Sequence, residues 1–401
     1  MKKATEEEIE YLLNRGVENI YPSKKFLEGL LNTEKKLTIY QGIDPTGPDL
    51  HIGHAIPFRK LAQFQKMGHK IIVLIGDFTA MIGDPTDKKA ARVKLTSAQV
   101  KENMKGYKKQ LSKIIDFEGP NKAEIMYNSK WLSKMDFSDV IELASNFTVQ
   151  QMIVRDMFQK RLEEKKPIYV HEFFYPLMQA YDSVAMDVDG EIGGNDQTFN
   201  MLAGRDLMMA LKNKEKFVLT SRLLVDPEGK KMGKTEGNMI RLDDSSDEMF
   251  GKIMSQPDSL IIPYFELATD ITDKGIKMFK DALEKGENPR NIKFKLAQEI
   301  VKTFHSDEES IRAGERFNKI FQEKEKPQDI EEIKVSQKMF GIVDLLCELK
   351  LASSKGEARR LVEQGGVKID DSKITDREAI IGIRDGMIIQ VGKRKFVKIK
   401  Q

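Results

Sequence analysis

Residues Ile71 to Gly76, IIVLIG, form an unbroken apolar run rich in β-branched side chains, a pattern suited to a strand covered on both faces. Such a strand belongs inside a parallel sheet with helices on each side. A second β-branched stretch, Lys36 to Ile43 (KLTIYQGI), precedes it and stops at the turn-forming residues Asp44-Pro45-Thr46-Gly47-Pro48-Asp49. Between the two, His51 to Met67 places Ile52, Ile56, Leu61 and Phe64 near helical spacing, and Gly68 supplies a stop. Pro57 is expected near the first turn of that helix, because deeper in it would remove a hydrogen bond. Strand, helix and strand within about 45 residues make a βαβ unit and predict an α/β fold with a Rossmann-like, doubly wound parallel sheet.

With 401 residues the chain is long enough for several domains. A Rossmann-like catalytic domain is expected over 1–240, with an aromatic-rich helical insert near 130–180 and a strand-turn unit from Ala185 to Gln197. Helical periodicity predicts a mostly α-helical domain over 241–325. The polar, proline-interrupted stretch QEKEKPQDIEEI (Gln322 to Ile333) predicts a linker, placed at 326–338. A small α+β domain over 339–401 begins with a helical pair and ends in short strands.

No apolar run approaches the roughly 18–20 residues that span a bilayer, so no membrane association is expected. The start, MKKATEEE, lacks the apolar core of an export signal. Cys347 is the sole cysteine, which excludes disulfides within the chain and thiolate metal clusters; a cytoplasmic setting is expected. From Ser336 to Gln401 there are 14 Lys and Arg against 9 Asp and Glu, a surplus of five in a chain whose total excess is three. The basic charge is therefore concentrated at the C-terminus.

Two motifs carry chemistry. His51-Ile52-Gly53-His54 falls at a helix N-terminus, where unpaired backbone N–H groups and the positive end of the dipole attract anions. Imidazole N–H groups from His51 and His54 would extend that site, Thr46 could add a hydroxyl, and Gly53 would let a flat ring rest on the backbone. The same spacing also suits a surface helix or a two-histidine metal site, although no nearby carboxylate cluster or cysteine completes the latter. Lys231-Met232-Gly233-Lys234-Thr235 sets two lysines three apart beside a glycine. It suits either a solvated basic turn or a loop that closes over a phosphate gaining charge during reaction.

Together these motifs resemble the HIGH and KMSKS-type signatures of class I aminoacyl-tRNA synthetases, with Gly233 and Thr235 where the second signature has serines. The segments YQGIDPT (from Tyr40), TAMIGDP (from Thr79), YPLMQAYD (Tyr175 to Asp182) and GGNDQ (Gly193 to Gln197) resemble the tyrosyl-tRNA synthetase family in particular, and the similarity extends over essentially the whole chain. The resemblance implies activation of L-tyrosine by ATP with Mg2+, without a tightly bound protein metal, followed by transfer to the terminal adenosine of tRNA(Tyr). It implies that Tyr40 and Asp182 grip the phenol hydroxyl and that Asp84, Tyr175 and Gln179 hold the α-ammonium group. Gly42, Asp44, Gly53, Gly194 and Asp196 would line the ATP side, with Gln197 between adenylate and tyrosine. Thr46, His51, Lys231 and Lys234 would surround the β- and γ-phosphates and His54 the ribose, with Thr235 and Arg92 as further candidates. Gln41 is left outside the site. By offset alone, Tyr175, Gln179 and Asp182 also suit a polar stripe on one helical face.

The C-terminal stretch ASSKGEARRLV, followed by GGVKID, is similar to an S4-type RNA-binding domain, with Lys355, Arg359 and Arg360 on successive turns facing an RNA backbone and Lys393-Arg394-Lys395 adding charge. A homodimer, joined through the helical insert around Phe147 to Lys160, is a family-level expectation. The rival readings are a tryptophanyl-tRNA synthetase, another HIGH-bearing nucleotidyltransferase, and a non-catalytic RNA-binding protein on a synthetase scaffold.

Overall fold

The computed structural model describes residues 4–85, 95–225, 239–322, 330–335, 338–370, 372–392 and 395–400. They form two compact units, Met1–Ser310 and Ile311–Gln401. The first is organised on a six-stranded sheet of β1 (Val17–Tyr21), β2 (Thr38–Ile43), β3 (Lys70–Ile75), β4 (Glu124–Tyr127), β5 (Gly190–Gly194) and β6 (Phe217–Ser221). Its order is β1-β6-β5-β2-β3-β4, parallel throughout except that edge strand β1 runs antiparallel to β6. The apolar run of β3 is buried from Ile71 onward, as its composition demands.

The helix between β2 and β3 spans Ile52–Lys66, with His51 as N-cap and Gly68 just beyond its end at φ +95°, a conformation that favours glycine. Pro57 lies inside this helix, one turn in from its start. Because His51 caps the helix, the proline falls in the second turn, and its missing N–H leaves no partner there for the Gly53 carbonyl. A second long helix, His171–Met186, runs past the expected start of the strand-turn unit; it ends at Asp187, whose left-handed backbone (φ 49°) is one that Asp tolerates, and β5 follows at Gly190.

Helices Ser246–Met254, Ile261–Ala268, Asp273–Glu284 and Pro289–Phe304 belong to the same unit as the sheet. Arg15 anchors one of them. Its buried guanidinium donates to the carbonyls of Phe265 (2.8 Å), Glu266 (2.9 Å) and Thr269 (3.1 Å), the C-terminal end of Ile261–Ala268, where orphan acceptors and the dipole both favour a cation.

In the second unit, helices Ile342–Glu348 and Lys355–Glu363 bury Ile342, Leu345, Leu346, Ala358 and Val362 in a core shared with Val367 and Ile389 of its sheet. That five-stranded sheet takes its parallel edge strand, Glu331–Lys334, from residues whose composition reads as linker. The charges that disguise it as linker are used across the strands: Glu332 accepts from Lys398 (2.8 Å) and Lys400 (3.1 Å).

Candidate active site

Sheet order places the site. From β2 the chain moves outward to β3 and β4, whereas β5 and β6 lie on the other side of β2, so strand order reverses between β2 and β5. Ligands of open α/β sheets bind at such a switch point, beyond the carboxyl ends of the strands. Here β2 and β5 pair only at Ile39↔Gly190 and Tyr40↔Glu191, then part. Gly42 is exposed in the gap although Gln41 and Ile43 beside it are buried, and a side chain there would meet nothing closer than Leu74 at 3.9 Å. Gly194 ends β5 on the opposite lip, beside Asp196.

The histidine motif opens the adjoining helix. His51 Nδ1 accepts from Gly53 N (3.1 Å), and His54 Nδ1 accepts from His51 N (3.3 Å), a reciprocal cap built from two imidazoles stacked 3.8 Å apart. A nitrogen that accepts cannot carry the proton, so each neutral ring holds it on Nε2 and can donate to an anion there. A Cβ on Gly53 would come within 3.0 Å of the His51 ring. The His51 ring thus lies close to this glycine.

The turn leading into that helix is held by side chains that the motifs do not include. Asn103 donates to the carbonyl of Pro45 (2.8 Å), Tyr107 to that of Gly47 (2.7 Å) and Gln110 to that of Pro48 (2.9 Å), while Gln110 Oε1 accepts from Leu50 N (2.7 Å). Their offsets of four and three were the available sequence signal, but only the fold reveals what that stripe faces. The chain leaving the lysine segment is tied to the same place: Ile52 N donates to Ile240 (3.0 Å), Leu242 N to Leu50 (2.9 Å), and Arg241 pairs with Asp49 at 3.4 Å. Lys231, Lys234 and Thr235 themselves, like Arg92, Lys393 and Arg394, lie outside the described residues.

A chain of hydrogen bonds runs from the histidine side into the interior. Tyr175 donates to Asp44 Oδ2 (2.9 Å), Thr79 donates to Asp44 Oδ1 (2.7 Å), and Asn128 Nδ2 reaches both Thr79 (3.0 Å) and Asp182 (3.3 Å). Trp131, the chain's only tryptophan, donates to Asp182 at 2.7 Å. Gly76 makes room for this array, since a Cβ would sit 2.0 Å from Asp44 Oδ1. Asp84 accepts from Gln197 at 2.8 Å, and Gln179 donates to Glu191 at 3.0 Å. Burial pushes the Asp182 carboxyl well above the usual carboxylate range, against the Trp131 and Asn128 hydrogen bonds that favour its charge.

Tyr40 and Asp182, both expected to grip the phenol hydroxyl of a substrate, hold different partners in the fold. Tyr40 is fully buried, and its hydroxyl lies 2.9 Å from Ser183 Oγ rather than on Asp182. Adjacent residues of a helix point about 100° apart, so Ser183 and Asp182 face different surroundings. Asp182 takes Trp131 and Asn128 instead, two partners with no motif signal. In the second unit, Arg359 and Arg360 are exposed on a helix capped by Ser354, and Lys355 pairs with Asp344 at 2.7 Å.

Asp44 carries a testable pH signature. Burial lifts its pKa from 3.8 to about 7, although the Thr79 and Tyr175 hydroxyls oppose the shift. The folded protein therefore keeps a proton that the unfolded chain releases near pH 4, and folding stability falls as pH rises between the two values. Asp44→Asn removes that dependence. Its melting temperature relative to the parent should be higher at pH 8.5 than at pH 5; equal offsets at both would remove the assignment.

The family model for tRNA synthetases class I (W and Y) matches residues 32–322, and the chain belongs to that family. Residues 322–399 match the tyrosine–tRNA ligase SYY-like C-terminal domain. Full-length similarity points the same way: the Thermotoga maritima tyrosine–tRNA ligase is 45% identical over 397 residues, covering 98% of both chains, and tyrosine–tRNA ligase 2 of Clostridium acetobutylicum is 44% identical over 393, covering 97% of each. Among solved structures, a C-terminally truncated mitochondrial tyrosyl-tRNA synthetase from Coccidioides posadasii superposes with a TM-score of 0.62 at 25% identity, over 77% of this chain and 91% of that one.

Proposed function

We propose that this chain is a tyrosine–tRNA ligase. It condenses L-tyrosine with Mg-ATP to tyrosyl-adenylate and pyrophosphate, then passes the tyrosyl group to the 3′-terminal adenosine of tRNA(Tyr). The observation that carries the reading is the continuous polar path from Asp44, at the carboxyl end of β2, to the buried Asp182. An amino acid lying along it would place its carboxylate toward the histidine-capped helix and its phenol at Asp182. A phenol hydroxyl would add a third donor to that carboxylate and offset its burial. Indole, whose N–H sits elsewhere on a wider ring, makes poorer use of such an acceptor.

Chemistry here needs no protein nucleophile. The tyrosine carboxylate attacks the α-phosphorus, the bond to the bridging oxygen breaks, and pyrophosphate leaves with Mg2+. The protein's part is alignment and charge stabilisation. Thr46, His51, Lys231 and Lys234 act on the leaving phosphates; His54, Gly42, Asp44, Gly53, Gly194 and Asp196 serve the ribose and adenylate; Asp84, Tyr175, Gln179 and Gln197 serve the amino acid. The helices of 241–325 lie on the anticodon side of bound tRNA, and Lys355, Arg359 and Arg360 meet its backbone. Pyrophosphate exchange measured with each amino acid in turn tests the reading: exchange is expected with tyrosine, and exchange with tryptophan alone would overturn it.

The working form is a homodimer in the cytoplasm. Phe137, Val149, Val154 and Val170 are 80%, 67%, 62% and 72% exposed along the helical insert, apolar surface of the kind that a partner covers. Among the described residues no helix is long and apolar enough to cross a membrane. Light scattering should give a dimer, and Val149→Asp should shift it toward monomer; a monomeric parent protein removes the proposal.

A further inference from the structure

Behind Gln179 lies a buried charged pair that the adenylation chemistry leaves unused. Lys216, immediately before β6, is fully buried, and Glu191 of β5 is 2% exposed. Lys216 Nζ bonds to Glu191 Oε2 and donates to Ser183 Oγ (2.9 Å), which in turn meets the Tyr40 hydroxyl (2.9 Å). The other carboxylate oxygen, Glu191 Oε1, accepts from Gln179 Nε2 at 3.0 Å. Space for the ammonium group comes from Gly204, where a Cβ would lie 2.7 Å from Lys216 Nζ and 2.9 Å from Ser183 Oγ. Taking two charges out of water is costly, and apolar residues of similar volume often serve stability as well. The arrangement calls for a purpose other than stability.

The geometry points to one. We propose that Glu191, fixed by Lys216, sets which way round the Gln179 amide stands, and thereby makes Gln179 an acceptor for the α-ammonium group of the bound amino acid. A carboxylate paired with a lysine offers only acceptors, so it takes the NH2 end of the amide. The carbonyl oxygen on the same carbon is then the end left for a ligand. Reversed, the amide would present N–H groups to a cation. Glu191 and Lys216 are positioning residues on this account, acting through Gln179. The inference rests on the reading that Gln179 lies against the substrate ammonium group.

The test compares L-tyrosine with its desamino analogue, 3-(4-hydroxyphenyl)propanoate, which keeps the phenol and carboxylate and lacks the ammonium. Binding is followed by the fluorescence of Trp131, the only tryptophan, which touches Asp182. Glu191→Gln presents both donor and acceptor, so the Gln179 amide can turn over. It should weaken tyrosine about tenfold, the scale of one charge-directed hydrogen bond, and leave the analogue unchanged. Gln179→Ala should show the same split, and adding Glu191→Gln to it should cost nothing more. The variant Glu191→Gln/Lys216→Met, which leaves no unpaired buried charge, should reproduce the ammonium-specific loss. Equal weakening of both ligands, or full tyrosine affinity in Glu191→Gln with Gln179→Ala impaired, would overturn the inference. Full tyrosine affinity in Gln179→Ala would instead remove the site reading beneath it.

Discussion

Asp182→Ala should lower kcat/KM for tyrosine in pyrophosphate exchange by about 10³-fold and bring phenylalanine close to tyrosine as a substrate. Two losses combine. The phenol hydroxyl loses a buried acceptor, and Trp131 Nε1 and Asn128 Nδ2, now 2.7 and 3.3 Å from the carboxylate, lose theirs. Discrimination collapses because an unfilled buried acceptor is what penalises phenylalanine. Sites that bind a substrate hydroxyl reject the analogue lacking it by about 10⁴–10⁵, a figure that comes from enzymes of this very kind and not from this structure. Asp182→Asn keeps the shape and part of the acceptor capacity, so an intermediate value is expected. The informative control is Tyr40→Phe. Since the Tyr40 hydroxyl is engaged with Ser183, that variant should retain the tyrosine-over-phenylalanine preference, whereas a loss matching that of Asp182→Ala would show that Tyr40 shares the grip on the phenol with Asp182.

The second large effect concerns the lysines. Lys231→Ala and Lys234→Ala should each slow single-turnover formation of tyrosyl-adenylate by about 10²–10³-fold, the range for removing one preorganised donor from developing charge. Tyrosine affinity, read from Trp131 fluorescence, should stay within about twofold, because an interaction made only in the transition state alters rate and not ground-state binding. Ile240, a few residues beyond Thr235, accepts from Ile52 N beside His51. Equal losses in rate and in tyrosine affinity would contradict the transition-state role.

How far the sequence reached follows from the range of the interactions involved. The β2–helix–β3 unit was legible because burial on both faces of a parallel strand leaves the apolar run IIVLIG, and a capped helix leaves a polar starter and a glycine stop. The place of His51 and His54 at a helix N-terminus was legible for the same local reason. What they do with Nδ1 was hidden, since reciprocal capping by two imidazoles depends on ring orientation. Glu331–Lys334 was misread as linker because an edge strand held by cross-strand charges has the composition of one. Asn103, Tyr107 and Gln110 show a helical stripe, but their partners are backbone atoms more than fifty residues away.

The division is sharpest at Asp182. Sequence alone determined that an aspartate stands three residues beyond Gln179 and seven beyond Tyr175, on one face of a helix, within a chain whose motifs call for ATP. That much is periodicity and local chemistry. Only the tertiary structure decided the neighbours: Trp131 and Asn128 on Asp182, Ser183 on Tyr40, Glu191 and Lys216 behind Gln179. Each pairing joins separate elements of the fold, and each is set by which polar groups must satisfy one another once water is gone. A buried carboxylate or ammonium cannot go unpartnered, but nothing along the chain states which distant donor will meet it.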